Sequence, residues 1–207
     1  MRRSDYQREE NYNEYLRLLQ NSDYPEVMFD EESGGMSAIH KYHKFDKQRG
    51  PYGCRRGDYE RCAVNVLRNN GFRVLLESEI STQEMKISDG YLDDRPMEIK
   101  SVEGKGTWTV STKLRNAVRQ QARCVILYYP NADNFSWFQV TEGLRLFLSS
   151  PETDKGNLES LIVISGDKIL ADWNKKTTPI EGWSIWEGLR GQNGADPFTI
   201  LPSDTKV

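Results

Sequence analysis

The stretch D-G-Y-L-D-D-R-P-M-E-I-K-S, residues 89–101, decides the fold. Its centre, Asp93-Asp94, is a turn signal, and the residues on either side have the composition of extended chain. We therefore predict two strands, at 87–92 and 96–102, joined by a tight hairpin-like turn. The acidic pair belongs to that turn and is not expected to take part in chemistry.

The second of these strands carries an unusual pair of side chains. Glu98 and Lys100 are two residues apart, so both leave the same face of a strand, while Met97 and Ile99 point to the other face. A carboxylate and an ammonium on one face, with Asp89 close by, can hold a divalent metal and place a water beside a phosphate. The alternative is an exposed strand face with one weak ion pair.

An amphipathic helix is predicted before this stretch. Ala63, Val66 and Leu67 recur at helical spacing between residues 56 and 69. Glu60 stands three residues before Ala63, at the border of the buried face. A carboxylate there is unusual unless it has a partner or a metal.

The remaining segments predict an α/β fold with a mixed sheet. The further elements are a strand at 72–76, an extended piece at 107–110, a helix at 113–123, a strand at 124–129 that is buried on both faces, a strand at 136–140, a helix at 142–148 and a hairpin within 161–173. The core order is thus helix, three strands, helix, strand, extended by a C-terminal hairpin.

Composition divides the chain into three parts. Residues 1–53 form an N-terminal extension with a short helix and a histidine-containing loop, 54–173 form the main domain, and 174–207 form an irregular tail broken by glycine and proline. His40 and His43 lie in the loop, three residues apart, and would share a face if the loop were helical. They are an alternative acid/base pair or metal site, although a structural pair bonded to the backbone fits the same spacing.

The net charge of -3 gives no general attraction for nucleic acid, so phosphate binding needs a local basic patch. Residues 105–123 supply one, with arginines at 115, 119 and 123 spaced to share a helical face. Lys105, Trp108, Lys113 and Arg119 are therefore candidate substrate contacts, and the indole could stack on a base. The alternative is a solvated helix face with Trp108 in the core.

No apolar run is long enough to cross a membrane, and the first residues lack the apolar segment of a signal peptide. We expect a cytoplasmic chain, in a producing or a target cell, without membrane insertion. The three cysteines form no C-x-x-C pair, which fits reduced thiols. Cys62 and Cys124 lie in apolar segments and are expected in the core.

The order of acidic residues and elements resembles the PD-(D/E)xK nuclease superfamily. The resemblance covers about residues 56–129 and rests on Glu60, on Asp89-Gly90 at a strand head and on Glu98-Ile99-Lys100. Ser88 stands where the signature has proline. Within the superfamily, this region is most similar to the C-terminal tRNA nuclease domains of contact-dependent growth inhibition toxins.

The resemblance implies a metal-dependent endonuclease. Glu60, Asp89 and Glu98 would be ligands of a divalent ion, Mg²⁺ or Mn²⁺ with Zn²⁺ as a third candidate, and Lys100 would be the catalytic lysine. The residues expected to contact phosphate are Ser101 and Lys113. The implied substrate is nucleic acid, with tRNA favoured over DNA, and a toxin would need an immunity protein as its partner.

Two other functions stay open. Residues 33–46, S-G-G-M-S-A-I-H-K-Y-H-K-F-D, are similar to nuclease-like domains of phages and conjugative elements. That similarity allows a non-catalytic structural or cargo protein, associated with a phage particle, that keeps the nuclease fold. The other possibility is a nuclease that uses His40 and His43 as acid and base, with the strand of Glu98 and Lys100 purely structural.

Overall fold

The computed structural model describes residues 4–78, 88–150 and 158–174. These residues form four α-helices and eight strands. In chain order the elements are α1 (Asp5–Leu19), β1 (Glu26–Phe29), β2 (Met36–Ile39), α2 (Arg56–Asn69), β3 (Arg73–Leu76), β4 (Gly90–Leu92), β5 (Arg95–Ser101), α3 (Thr107–Arg119), β6 (Cys124–Tyr129), α4 (Trp137–Ser149), β7 (Ser160–Ser165) and β8 (Lys168–Asn174).

The strands form one mixed sheet in which neighbours in space are also neighbours in the chain, from β1 to β8. β2 with β3, β5 with β6 and β6 with β7 are parallel, and the other pairs are antiparallel. The predicted α/β fold with a mixed sheet and a C-terminal hairpin is therefore confirmed. Residues 56–129 run as α2, β3, β4, β5, α3 and β6, which is the predicted element order.

β6 is buried on both faces, as predicted, and separates two apolar cores. Cys124 and Ile126 belong to the core under α2. Val125 and Leu127 belong to the core under α3 and α4. Because successive side chains alternate along a strand, a continuous apolar run serves both layers at once.

Two segments predicted to be extended are helical instead. Residues 107–110 are the first turn of α3, and 136–140 fall at the start of α4. Their aromatic and β-branched residues favour strands, but the two helices pack against each other across Gly143, where an added Cβ would lie 2.5 Å from the Val110 Cβ. The buried residues at helical spacing are Val110, Leu114, Ala117 and Val118 in α3, and Val140, Leu144 and Phe147 in α4. Tertiary packing therefore overrides the local preference for strand.

α3 ends at Arg119, so the helix predicted over 113–123 extends too far. Gln121 has a φ of 63°, a left-handed conformation that stops the helix. Arg123 comes just before β6, and its guanidinium pairs with Glu159. Arg115, Arg119 and Arg123 consequently do not share one helical face, which corrects the prediction.

The residues before position 54 contribute two strands to the same sheet. The predicted short helix is present as α1, which runs over 15 residues. Its Leu18 packs against Met36 and Ala38 of β2. β1 was not predicted, because this edge strand alternates between exposed and half-buried residues and has no apolar run.

The two cysteines predicted to lie in the core differ. Cys124 is buried, whereas Cys62 is exposed, which corrects its prediction. The buried stripe of α2 runs through Tyr59, Ala63 and Leu67, and position 62 lies at its edge. The tail predicted beyond residue 174 lies outside the described residues.

Within the described ranges, none of the helices has both the length and the apolar character needed to cross a bilayer.

The turn of the opening stretch forms as predicted. Asp93 and Asp94 link β4 to β5 with φ values of 47° and 63°. At the other end of β4, Gly90 lies against β3, and a Cβ added to it would be 1.9 Å from the carbonyl oxygen of Leu75. Only glycine permits this approach, and it places Asp89 at the head of β4, opposite β5.

Gly90→Ala is expected to lower the free energy of unfolding by about 3 kcal/mol, or to prevent folding, since the backbone of β3 must move to admit a methyl group. Gly104→Ala is the matched control, because the nearest atom to its added Cβ is 3.4 Å away. The control should change stability by less than about 0.5 kcal/mol. Urea unfolding followed by circular dichroism measures both, and a Gly90→Ala variant as stable as the wild type would contradict the close approach.

Candidate active site

A cavity of about 740 Å³ lies where α2, β5 and α3 meet. Its charged lining residues are Lys44, Asp46, Arg56, Glu60, Asp89, Glu98, Lys100 and Lys113. Glu60, Asp89, Glu98 and Lys100 come from three separate segments of the chain. The fold brings these four predicted catalytic residues to the wall of one cavity.

Glu98 and Lys100 lie on the same face of β5, as the alternation predicts. Met97 and Ile99 pack into the core under α2, while the Lys100 ammonium donates a hydrogen bond to Glu98 Oε1. Glu98 is 1% exposed. The pair is therefore a buried ion pair in a cavity wall and not a weak pair on an exposed strand.

The carboxylates of Asp89 and Glu98 each accept a hydrogen bond from a backbone N–H of the opposite segment. Glu98 Oε2 accepts a hydrogen bond from the Asp89 N–H at 3.0 Å. Asp89 Oδ2 accepts one from the Ile99 N–H at 2.9 Å. These two hydrogen bonds link the start of β4 to the middle of β5 and keep the two carboxylates close together.

The position of Glu98 alters its ionisation. Burial, followed by the charge of Asp89, raises the pKa of Glu98 to about 7, and the Lys100 ammonium opposes the shift. A desolvated carboxylate beside a second carboxylate is stabilised in its charged form by any cation that joins them. Such arrangements are frequent at functional sites.

Gln120 is a lining residue that sequence analysis missed. Its Oε1 accepts a hydrogen bond from Lys100 Nζ at 2.9 Å, and the residue is buried. Gln120 follows the last residue of α3 and comes seven positions after Lys113, so two helical turns place both on the cavity side. That spacing is the signal that could have identified it.

Glu60 is held by His43. The His43 Nε2 lies 2.9 Å from Glu60 Oε1, and Nδ1 lies 3.0 Å from the carbonyl oxygen of Glu77. The His43 side chain is fully buried and does not line the cavity. Glu60 therefore faces the cavity with its carboxylate anchored from behind.

The two histidines do not lie on a helix, so they do not share the face that a helical loop would have given them. Residues 40–46 are turn and irregular chain. The His40 ring lies edge-on to Tyr24, with 5.2 Å between the ring centroids. His40 does not line the cavity.

Lys113 is a half-buried cation in the cavity wall. Burial, followed by the charge of Lys100, lowers its pKa. Its ammonium makes no hydrogen bond or ion pair with another described residue. By contrast, Arg56, a cavity residue that sequence analysis missed, donates to both carboxylate oxygens of Glu103 at 2.9 Å. Lys113 is thus positioned to meet an anion, and the charge of Arg56 is already balanced.

The other predicted substrate contacts divide into two groups. Ser101 lines the cavity, and its hydroxyl lies 3.4 Å from the Glu103 carboxylate. Lys105, Trp108 and Arg119 do not line it. Trp108 is 62% exposed, so it is not a core residue. Trp108 and Arg119 are eleven positions apart, three helical turns, and therefore share the solvent face of α3.

The oxygen atoms on the cavity wall determine which metal ion the site could bind. Within the described residues, no group of three or more His, Cys, Asp or Glu side chains is arranged to hold a metal ion. Asp89 and Glu98 are adjacent oxygen donors, and the desolvation of Glu98 favours a nearby positive charge. This donor pair suits Mg²⁺ or Mn²⁺ better than Zn²⁺, which prefers nitrogen and sulfur ligands.

Comparisons with models of protein families, with curated proteins and with solved structures gave no match.

The raised pKa of Glu98 predicts a pH-dependent loss of stability. Its folded value of about 7 lies above the ordinary value of 4.5, so the folded protein keeps a proton that the unfolded chain releases. The contribution of Glu98 to stability therefore falls as the pH rises from about 4.5 to about 7 and does not change above that range. Glu98→Gln removes the titrating group. Relative to the wild type, the variant should gain up to about 3 kcal/mol over this interval.

Urea unfolding of both proteins at intervals from pH 4 to pH 8 measures this change. At pH 4 the difference in free energy of unfolding between the two proteins includes the altered contact with Lys100. The test therefore uses only the change of this difference with pH. A difference that stays constant with pH would show that Glu98 has an ordinary pKa in the folded protein.

Proposed function

We propose that the protein is a metal-dependent endonuclease of the PD-(D/E)xK type, which hydrolyses phosphodiester bonds in nucleic acid. The observation that carries the proposal is the hydrogen-bonded group of Asp89, Glu98 and Lys100 on the wall of one polar cavity. The order α2, β3, β4, β5, α3, β6 supports it, because the superfamily core has that order.

In this mechanism Asp89 and Glu98 would hold a divalent ion, and Glu60 faces the same cavity. When bound, the ion supplies positive charge to the phosphate oxygens and favours deprotonation of a water. Glu98 is suited to this role, because a cation beside it would stabilise the charged form of its desolvated carboxylate.

Lys100 supplies the second positive group. Its ammonium is shared between Glu98 Oε1 and Gln120 Oε1, which fixes it at the cavity wall. There it can donate to the attacking water or to a phosphate oxygen whose charge grows in the transition state. The water oxygen forms the new bond to phosphorus, the bond to the leaving oxygen breaks, and that oxygen takes up a proton.

Lys113 binds an adjacent phosphate. Its ammonium has no acceptor among the described residues, and a phosphate would offset its repulsion by Lys100. The chain is acidic overall, and attraction for the polyanion must then come from this local pair of lysines. The preference for tRNA over DNA comes from the resemblance to toxin nuclease domains, which also implies a cytoplasmic target and an immunity protein that blocks the cavity.

Lys100→Ala should lower kcat for cleavage of RNA or single-stranded DNA by about 10²- to 10³-fold, because it removes a donor aimed at developing charge. Glu98→Ala should remove activity with Mg²⁺ and Mn²⁺ alike. Lys168→Ala, at an exposed position of β8, is the matched control and should cleave like the wild type. A labelled tRNA, an unstructured RNA and a DNA oligonucleotide assayed in parallel identify the substrate.

A folded wild-type protein that cleaves none of these substrates with Mg²⁺, Mn²⁺ or Zn²⁺ would reject the nuclease proposal. It would favour the structural or cargo protein of a phage or mobile element instead. Cleavage that survives chelation and is lost in His43→Ala would favour the histidine mechanism.

Lys113→Gln should raise KM while changing kcat by less than about threefold, since Lys113 binds phosphate in substrate and transition state alike. Loss of one phosphate contact should also reduce the slope of log affinity against log salt by about one. Fluorescence anisotropy with a labelled oligonucleotide and inactive Lys100→Ala protein gives the slope. An unchanged slope in the Lys113→Gln, Lys100→Ala double variant would place Lys113 outside the substrate path.

A further inference from the structure

We propose that His43 is a positioning residue, which fixes the Glu60 carboxylate on the cavity wall for the metal-dependent reaction. This inference rests on the proposed function. It assigns a role to a buried side chain that reaches neither the cavity nor the substrate.

The hydrogen bonds of the ring fix its orientation. Nδ1 lies 3.0 Å from the Glu77 carbonyl oxygen, and because a carbonyl can only accept, Nδ1–H is the donor. Nε2 then faces Glu60 Oε1 at 2.9 Å with one proton between them. The ring also packs edge-on to Phe45, with 4.7 Å between ring centroids. With both nitrogens engaged and the side chain fully buried, His43 cannot turn away from Glu60.

The same hydrogen bonds link Glu60 to Asp89. The N–H of Glu77, whose carbonyl binds His43, donates to the Asp89 carbonyl oxygen at 3.0 Å. A continuous path therefore runs from the α2 carboxylate through the His43 ring and the Glu77 peptide groups to the residue at the head of β4. The path connects Glu60 to the backbone of Asp89, although the two residues come from different elements.

The geometry also separates this role from acid/base catalysis. A general acid or base must reach a reacting atom directly or through one water, and the His43 ring lies behind Glu60, away from the cavity. Side chains that orient a carboxylate ligand from behind typically contribute 10- to 100-fold to metal affinity or activity. His43 therefore acts through Glu60.

The test compares His43→Phe with His43→Gln. Phenylalanine fills the buried space without a hydrogen bond, while the glutamine amide can still donate to Glu60. His40→Phe is the matched control, since His40 contacts Tyr24 outside the cavity. kcat and KM for RNA cleavage are measured, together with Mn²⁺ affinity by calorimetry on protein without substrate.

His43→Phe should lower kcat and weaken Mn²⁺ binding by about 10-fold or more, with KM for RNA changed by less than about twofold. His43→Gln should recover most of both losses, and His40→Phe should match the wild type. Circular dichroism establishes that each variant is folded, and the glutamine variant decides the question if phenylalanine is not tolerated.

An active wild type whose kcat and Mn²⁺ affinity are unchanged in His43→Phe would overturn the positioning role alone. The same conclusion follows if His43→Gln folds but loses as much as His43→Phe, because a lost hydrogen bond to Glu60 would not then be the cause. A wild type that neither cleaves nucleic acid nor binds Mn²⁺ would instead overturn the proposed function.

Discussion

The burial of one carboxylate is the constraint on which the site depends. Glu98 is 1% exposed, close to Asp89 and bonded to Lys100. A buried charge of this kind is unfavourable unless its partners are held in place. The tight turn at Asp93-Asp94, the close approach of Gly90 to β3 and the position of Gln120 just after α3 all contribute to holding them. Local features that look unrelated along the chain therefore converge on one side chain.

The cavity is nearly balanced by internal pairing. Glu98 pairs with Lys100, Arg56 with Glu103 and Glu60 with His43. Away from these pairs, Asp46 and Asp89 present carboxylates to the cavity, and Lys44 and Lys113 present ammonium groups. A carboxylate that can take a cation and an ammonium that can take a phosphate are the two complementary groups that a metal-bound nucleic acid backbone needs.

Much of this arrangement could be predicted from the sequence, because its signals are local. Alternation placed Glu98 and Lys100 on one face, Asp-Asp marked the turn, and helical spacing placed Glu60 at the edge of a buried stripe. The apolar run of β6 indicated a strand covered on both faces. In each case one short segment contains the whole pattern, and its local preference agrees with the tertiary structure.

The parts that could not be predicted depend on contacts between distant segments. Residues 107–110 and 136–140 are helical because α3 and α4 pack across Gly143. His43 contacts Glu60 from an irregular segment, for which the sequence spacing predicts no contact. Arg56 pairs with Glu103, which is 47 positions away in the sequence. Trp108 and Arg119 belong to a basic stretch in sequence, yet the rotation of α3 turns them away from the cavity that Lys113 lines. The basic stretch therefore predicted a helix that borders the cavity, but it did not predict which face of that helix lines the cavity.

The proposed mechanism requires that Asp89 and Glu98 bind a divalent ion. The most direct measurement is anomalous diffraction at the manganese edge, from crystals of the wild type and of Glu98→Ala soaked in Mn²⁺. We expect a peak in the wild type within ligand distance of both carboxylates, and no such peak in Glu98→Ala. A wild-type cavity without a peak, or one equally occupied in the variant, would contradict it.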